Sequence, residues 1–128
     1  MIYMNKDDIK QKLSDEEWKV TQEKGTEAPF SNKYWNTHDD GTYHCKVCDT
    51  PLFASDTKFD SGTGWPSFSE ALPDAVKYVT DDTHGMSRTE VVCAHCGAHL
   101  GHVFDDGKAS GSSTEKRFCM NSCALDLK

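Results

Sequence analysis

The sequence lacks the features that mark membrane, secreted and nucleic-acid-binding proteins. No stretch approaches the about 18 consecutive apolar residues that a membrane-spanning helix needs, which excludes a span. The first residues, Met-Ile-Tyr-Met-Asn-Lys-Asp-Asp, have no charged lead followed by an apolar run, so we expect no secretory signal and a cytoplasmic location. Basic side chains number 14 against 21 acidic ones, and the net charge of -7 argues against binding to nucleic acid.

The length of 128 residues suits one compact domain. We expect an N-terminal arm at residues 1–13, a single domain at residues 14–128, and a monomer. Ser14 and Glu17 form a capping box that begins a helix, and Gly25 ends it, which predicts a helix over residues 15–24. Short β-rich segments follow, with strands predicted at 41–46, 75–80, 89–93, 100–104 and 117–121, a turn at 81–85 and a loop at 108–115. The fold class is therefore mostly β and antiparallel, with an N-terminal helix.

Cysteine is the informative residue, because four of the six cysteines form two C-x-x-C pairs that are 44 residues apart: Cys45, Cys48, Cys93 and Cys96. Two such pairs suit a tetrahedral zinc site, and four protein ligands leave no open position, so we expect one structural zinc per chain. Asp49 and Gly97 follow the second cysteine of each pair and tolerate the positive φ of a tight ligand turn. Redox dithiols or inert buried thiols are the alternatives.

The remaining cysteines, Cys119 and Cys123, lie near the C-terminus. On a strand, Arg117, Cys119 and Asn121 share one face. A neighbouring guanidinium favours the thiolate, which makes Cys119 a candidate nucleophile. The alternative is a half-buried thiol beside a surface arginine.

Two further features supply the other parts of a candidate site. His99 and His102 flank Gly101, where a bend or bulge would turn both imidazoles toward one cleft as proton donors. Trp65 lies in a loop shaped by glycines and a proline, and its indole suits the wall of an apolar slot. The alternatives are histidines that face solvent or the core, and a core tryptophan.

Together these segments resemble the methionine-R-sulfoxide reductases of the B type. Besides the two C-x-x-C pairs, the resemblance rests on four stretches in the family's order: EKGTEAPFSNKYW (23–35), KFDSGTGWPSF (58–68), CGAHLGHVFDDG (96–107) and RFCMNS (117–122). It implies two small antiparallel sheets, structural zinc, and reduction of the R epimer of methionine sulfoxide in proteins and peptides. It also implies a role for each site residue. Cys119 is the nucleophile, Arg117 activates Cys119, and His99 and His102 are the polar, proton-donating pair. Asn121 lies near the sulfoxide, Trp65 lies against the substrate methyl group, and the zinc ligands are Cys45, Cys48, Cys93 and Cys96.

The chain departs from this family at the position of the usual resolving cysteine, which is Thr63 here. Threonine cannot form a disulfide, so the sulfenic acid left on Cys119 needs another thiol. Cys123 is one candidate for this resolving thiol; alternatively, Cys123 is an inert small side chain. In the second case an external thiol, such as thioredoxin or glutathione, reduces the sulfenic acid. Two other functions stay open on the residues alone: a zinc-bearing module that binds a protein partner, and a dithiol oxidoreductase that uses the C-x-x-C pairs.

Overall fold

The computed structural model describes residues 6–31, 34–82 and 88–128. Helix α1 spans Lys6–Lys12 and helix α2 spans Asp15–Glu23. The capping box predicts the start of α2 correctly, because the Glu17 N–H donates to Ser14 Oγ at 3.2 Å and the Ser14 N–H donates to the Glu17 carboxylate at 2.8 Å. Helix α1 lies where the sequence analysis expects only an arm.

Within the described ranges, nine strands form two antiparallel sheets, which confirms the predicted fold class. The smaller sheet has the order β2-β1-β9, from β1 Thr42–Cys45, β2 Pro51–Ala54 and β9 Leu125–Leu127. The larger sheet has the order β3-β4-β8-β7-β6-β5, from β3 Lys58–Phe59, β4 Ser67–Phe68, β5 Val76–Asp81, β6 Arg88–Cys93, β7 His99–Phe104 and β8 Arg117–Met120. The five strands predicted from the sequence match β1, β5, β6, β7 and β8 to within one residue at each end. The predicted loop at 108–115 begins with a short helix, α3 Gly107–Ser110, and residues 83–85 of the predicted turn lie outside the described residues.

An aromatic cluster holds the two sheets together. Phe53 of the smaller sheet stacks on Phe68 of the larger one, with ring centroids 4.4 Å apart. Tyr43 and Phe118 add edge-to-face contacts from either side. Such rings bury large apolar areas and also gain from their mutual geometry. The core therefore lies between the sheets, directly beneath β4 and β8.

A bulge interrupts the pairing of β6 with β7. Val91 pairs with Gly101 but Val92 pairs with His99, so Leu100 is the extra residue. On the other edge of β7, a Cβ on Gly101 would lie 2.1 Å from the Cys119 carbonyl oxygen. Only glycine allows this approach, so β7 and β8 are held closely together where His102 pairs with Cys119.

In the parts of the chain that the structure describes, every helix is too short or too polar to cross a bilayer.

Candidate functional site

A cavity of about 260 Å³ opens over the centre of the larger sheet. Five of the predicted site residues line it: Trp65, His102, Arg117, Cys119 and Asn121. The others at its wall include Thr26, Thr63, Arg88 and Phe104. The structure thus brings together the face of β8, the histidine of β7 and the tryptophan loop.

Cys119 lies in β8 and pairs with Ser67 of β4 on one side and with His102 of β7 on the other. Its pKa is raised above the usual value, because burial disfavours the thiolate more than Arg117 and Thr63 favour it. From its place beside Cys119 on the strand, the Arg117 guanidinium is expected to favour the thiolate. That contribution is present, but the burial of the sulfur outweighs it.

Arg117 is fixed in place beside that sulfur. Its Nε donates to one oxygen of Asp106 at 2.9 Å and its Nη2 to the other at 3.3 Å. The guanidinium carbon also lies 4.4 Å from the centre of the Phe104 ring, in cation–π geometry. The hydrogen bonds and charge of Arg117 lower the pKa of the Asp106 carboxyl. The pairing also holds the guanidinium charge at the cavity.

His102 is oriented by a carboxylate. Its Nε2 lies 2.8 Å from Asp81 Oδ2, the same oxygen that accepts a hydrogen bond from Arg88 at 3.2 Å. An imidazole that holds Asp81 through Nε2 has only Nδ1 to offer to another group.

His99 is buried and is not among the residues at the cavity wall. Its Nδ1 lies 2.7 Å from Glu90 Oε2, and its ring packs edge-to-face on His102 with centroids 5.5 Å apart. Burial lowers the pKa of His99, more than Glu90 raises it. His99 Nε2 is buried and has no hydrogen-bond partner among the described residues. The two histidines therefore contact each other, but they occupy different environments.

The backbone of Glu27 connects two predicted site residues. Its N–H donates to Asn121 Oδ1 and its carbonyl accepts from the Trp65 indole, both at 3.1 Å. Asn121 Nδ2 also donates to the Leu100 carbonyl at 3.1 Å. The amide of Asn121 is therefore locked, with one N–H left to donate.

Sequence reasoning missed the residues that support the site. Asp106 lies between the predicted strand at 100–104 and the predicted loop at 108–115, and its pairing with Arg117 is invisible before the strands are placed. Glu90 interrupts the apolar pattern of β6 at a buried position, which is a signal that could have found it. Glu27 lies inside one of the stretches that carry the family resemblance, but no local pattern distinguishes it.

Cys123 lies apart from the cavity. It belongs to a 3₁₀ turn at Ser122–Ala124, and its N–H donates to Glu27 Oε1 at 3.0 Å. Burial and the Glu27 carboxylate raise the pKa of this thiol. Cys123 is therefore a buried thiol that is not among the residues lining the Cys119 cavity.

The four cysteines of the C-x-x-C pairs converge on one point, with all sulfurs within 4.8 Å of one another. The Cys45 and Cys96 sulfurs are 3.7 Å apart, and those of Cys48 and Cys93 are 3.6 Å apart. Zinc–sulfur bonds of about 2.3 Å in a tetrahedron require sulfur–sulfur distances of about 3.8 Å. The donor set and its spacing therefore fit a tetrahedral thiolate metal site.

Two similar turns build this site. The Asp49 N–H donates to the Cys45 carbonyl at 2.8 Å, and the Gly97 N–H donates to the Cys93 carbonyl at 2.9 Å. Asp49 and Gly97 have φ values of 67° and 79°, as the sequence predicts. One turn ends β1 and the other ends β6, so the metal site joins the two sheets. Arg88 begins β6 at the cavity, and five strand steps place it about 17 Å from the metal end.

Comparison with known proteins identifies the relatives of this chain. The SelR domain family matches residues 13–128. The chain is 57% identical over 112 residues to the peptide methionine sulfoxide reductase MsrB of Variovorax paradoxus, covering 87% of this chain and 80% of that protein. It is 50% identical over 128 residues to the peptide methionine sulfoxide reductase MsrB of Synechococcus, covering 99% of this chain and 92% of the relative. It is also 54% identical over 126 residues to the chloroplastic peptide methionine sulfoxide reductase B1 of rice, covering 91% of this chain but spanning only 58% of that longer protein.

The contact between His99 and Glu90 predicts a measurable titration. Burial keeps the pKa of His99 below its ordinary value, and Glu90→Gln removes the carboxylate that raises it, so the variant lowers this pKa further. A depressed histidine pKa in the folded state means that the unfolded chain takes up the proton first. The free energy of unfolding therefore falls as the pH drops below the ordinary value of about 6.5.

The check is an NMR titration of the imidazole resonances, assigned with a His99→Gln variant. Asp60→Asn is the matched control. Asp60 Oδ2 lies 3.1 Å from Nε2 of the exposed His38, so this variant removes a carboxylate from another histidine and leaves His99 unchanged. A His99 pKa above the ordinary value, or one that rises in Glu90→Gln, contradicts the assignment.

Proposed function

Because the chain belongs to the SelR domain family, we propose that it reduces the R epimer of methionine sulfoxide, in peptides and proteins, to methionine. The observation that carries the proposal is the cavity in which Cys119 meets His102, Arg117, Asn121 and Trp65. A purely metal-bearing binding module has no need of a thiol between an anchored guanidinium and an oriented imidazole. A dithiol oxidoreductase needs free C-x-x-C sulfurs, whereas here all four lie together in metal geometry.

The reaction transfers one oxygen atom from the substrate sulfur to Cys119. The Cys119 sulfur attacks the sulfoxide sulfur while the sulfoxide oxygen is protonated, and collapse releases the thioether and leaves a sulfenic acid on Cys119. Thiol plus sulfoxide equals sulfenic acid plus thioether, so atoms and electrons balance. Two external thiols then reduce the sulfenic acid to the Cys119 thiol and leave as a disulfide and water.

His102 is the proton donor in this proposal, because it lines the cavity and pairs directly with Cys119 across the strands. His99 positions His102 through its edge-to-face contact rather than by protonating the substrate itself. Arg117 stabilises the sulfur as negative charge develops on it. The free N–H of Asn121 binds the sulfoxide oxygen.

Substrate selection rests on the apolar part of the cavity. Trp65 is held by its indole N–H on the Glu27 carbonyl, so the ring is a fixed wall rather than a mobile side chain. A rigid wall on one side and polar groups on the other distinguish methyl from oxygen on a chiral sulfur, which accounts for the use of one epimer.

Reduction of the Cys119 sulfenic acid back to the thiol depends on an external thiol. Thioredoxin is the first candidate for this reductant and glutathione the second. Thr63 occupies the position from which a resolving cysteine would act. Cys123 is a bystander, because its thiol is buried and absent from the cavity wall.

We further propose that the four clustered cysteines hold one zinc ion. Zinc bound there supplies folding energy by cross-linking the two sheets, and four thiolates leave it no position for substrate. We also propose that the chain consists of an arm at 1–13 and a catalytic domain at 14–128. It is a monomer and is located in the cytoplasm.

Cys119→Ser tests the reaction. We expect loss of reduction of a peptide carrying the R epimer by a factor of 1,000 or so, the scale expected when an enzyme loses its nucleophile. The assay uses both epimers separately, with zinc content measured by elemental analysis at one ion per chain in wild type and variant alike. Full activity of the variant, or equal turnover of the S epimer by wild type, contradicts the proposal.

Cys123→Ala tests the route of regeneration. Because the Cys123 thiol plays no part in resolving the sulfenic acid, multiple turnover with thioredoxin stays within about twofold of wild type. The matched control is Cys123→Ser, which keeps a small side chain at the same buried position. A variant that completes a single turnover but stalls afterwards identifies Cys123 as the resolving residue instead.

A further inference from the structure

An exposed aromatic ring lies beside the loop that carries Trp65. Phe30 is 55% exposed, and its N–H donates to the Gly64 carbonyl at 2.8 Å. Gly64 lies between Thr63 and Trp65 in the chain, and both of those residues line the cavity. The Phe30 backbone is therefore bonded to the residue between two residues of the cavity wall.

The backbone that presents this ring is held in a strained conformation. Phe30 has a φ of 61°, in the left-handed region that residues with bulky side chains rarely adopt. Such a conformation persists only where the surrounding structure imposes it. Here the surroundings include Gly64, because a Cβ on this glycine would lie 2.7 Å from both the nitrogen and Cδ2 of Phe30. The fold therefore holds the exposed ring closely against the loop.

Two contacts keep the ring and the loop rigid. The Trp35 ring packs edge to face on the Phe30 ring, with centroids 4.9 Å apart and an angle of 78° between the planes. The loop is fixed in turn by the hydrogen bond from the Trp65 indole to the Glu27 carbonyl. A single exposed apolar side chain is common on protein surfaces. A ring that is already ordered differs from these, since an apolar group binds to it with little further loss of conformational entropy.

The size of the cavity leaves most of a peptide substrate outside it. Its volume of about 260 Å³ is below the range of about 300–1,000 Å³ that is typical of pockets enclosing a drug-sized ligand. The cavity therefore suits one side chain, and the residues on either side of a methionine sulfoxide must lie on its rim. Phe30 belongs to that rim, because the segment 26–30 begins at Thr26 in the cavity wall and ends against Gly64.

We propose that Phe30 is a docking platform for polypeptide substrates, on which an apolar or aromatic side chain next to the methionine sulfoxide packs. The proposal rests on the proposed function in taking the Cys119 cavity as the site of sulfoxide reduction. Phe30 is not among the residues that line this cavity, so it binds substrate and transition state equally and lowers KM without changing kcat. The favoured substrates are apolar segments, which a folded protein buries and an unfolded one exposes.

The experiment compares three substrates that carry the R epimer. Two are five-residue peptides with the methionine sulfoxide at the centre, flanked on both sides by phenylalanine in one and by serine in the other. The third is the N-acetyl amide of the single amino acid. Dithiothreitol is the reductant, so docking of a protein reductant does not enter the rate.

Phe30→Asn removes the ring, and asparagine tolerates the left-handed backbone better than other residues with a side chain, apart from aspartate. We expect the KM of the phenylalanine peptide to rise about three- to tenfold, the size of one aromatic contact, with its kcat unchanged. The KM values of the serine peptide and of the single amino acid stay at their wild-type values. Binding of the phenylalanine peptide to Cys119→Ser, with and without Phe30→Asn, is measured by calorimetry and gives the same ratio without turnover.

Two further variants are the controls. Phe30→Tyr keeps the ring and matches wild type on all three substrates. Tyr78→Thr removes another exposed ring, which is 57% exposed on β5 and is not among the residues that line the cavity, and it also matches wild type. If Phe30 merely supported the fold, its loss would displace the Trp65 loop and lower kcat for all three substrates alike.

A rise in KM confined to the phenylalanine peptide and to Phe30→Asn supports the platform. An equal effect on all three substrates, or no effect in Phe30→Asn while wild type turns over, overturns the platform and leaves the proposed function intact. A raised KM for thioredoxin with unchanged peptide KM values assigns the ring to the reductant and also overturns it. If wild type reduces none of the three substrates, the proposed function fails and the platform fails with it.

Discussion

The pairing of β7 with β8 is the constraint on which the site depends. Gly101 lies so close to the Cys119 carbonyl that no side chain fits between the strands. This contact sets His102 directly opposite Cys119, while the bulge at Leu100 shifts the register of β7 against β6. A shift of one residue would move every side chain of β8 to the other face of the sheet, and Cys119 would leave the cavity.

The structure separates the cysteine cluster from the residues that line the cavity. The cysteine cluster joins the end of β1 to the end of β6, and the aromatic cluster joins the sheets beneath β4 and β8. Between them, burial and charge act against each other at Cys119. Burial favours the neutral thiol more than Arg117 favours the thiolate, so the pKa of Cys119 is raised above its ordinary value.

Sequence patterns predicted the features whose causes are local. The capping box at Ser14 sets the start of α2, and the tight turns after Cys48 and Cys96 need only nearby residues, so the helix and the four clustered sulfurs were both predictable. Features that depend on distant contacts were not. His99 becomes buried behind His102, and the Glu27 backbone meets Asn121, only when the strands and the loop come together. The pKa of Cys119 is raised by burial, which no pattern in β8 reveals. Helix α1 was also open to prediction, because Asn5, a favoured N-cap residue, directly precedes Lys6 in the sequence and the acidic Asp7 and Asp8 follow.

The most direct test of the account is the fate of the substrate oxygen in a single turnover without any reductant. The chain is mixed with a peptide carrying the R epimer of methionine sulfoxide, labelled with heavy oxygen, and the products are analysed by mass spectrometry. The account predicts one equivalent of methionine and one labelled oxygen trapped as sulfenic acid on Cys119. Methionine formed with the label on another residue, or released to water while Cys119 stays a thiol, would contradict it.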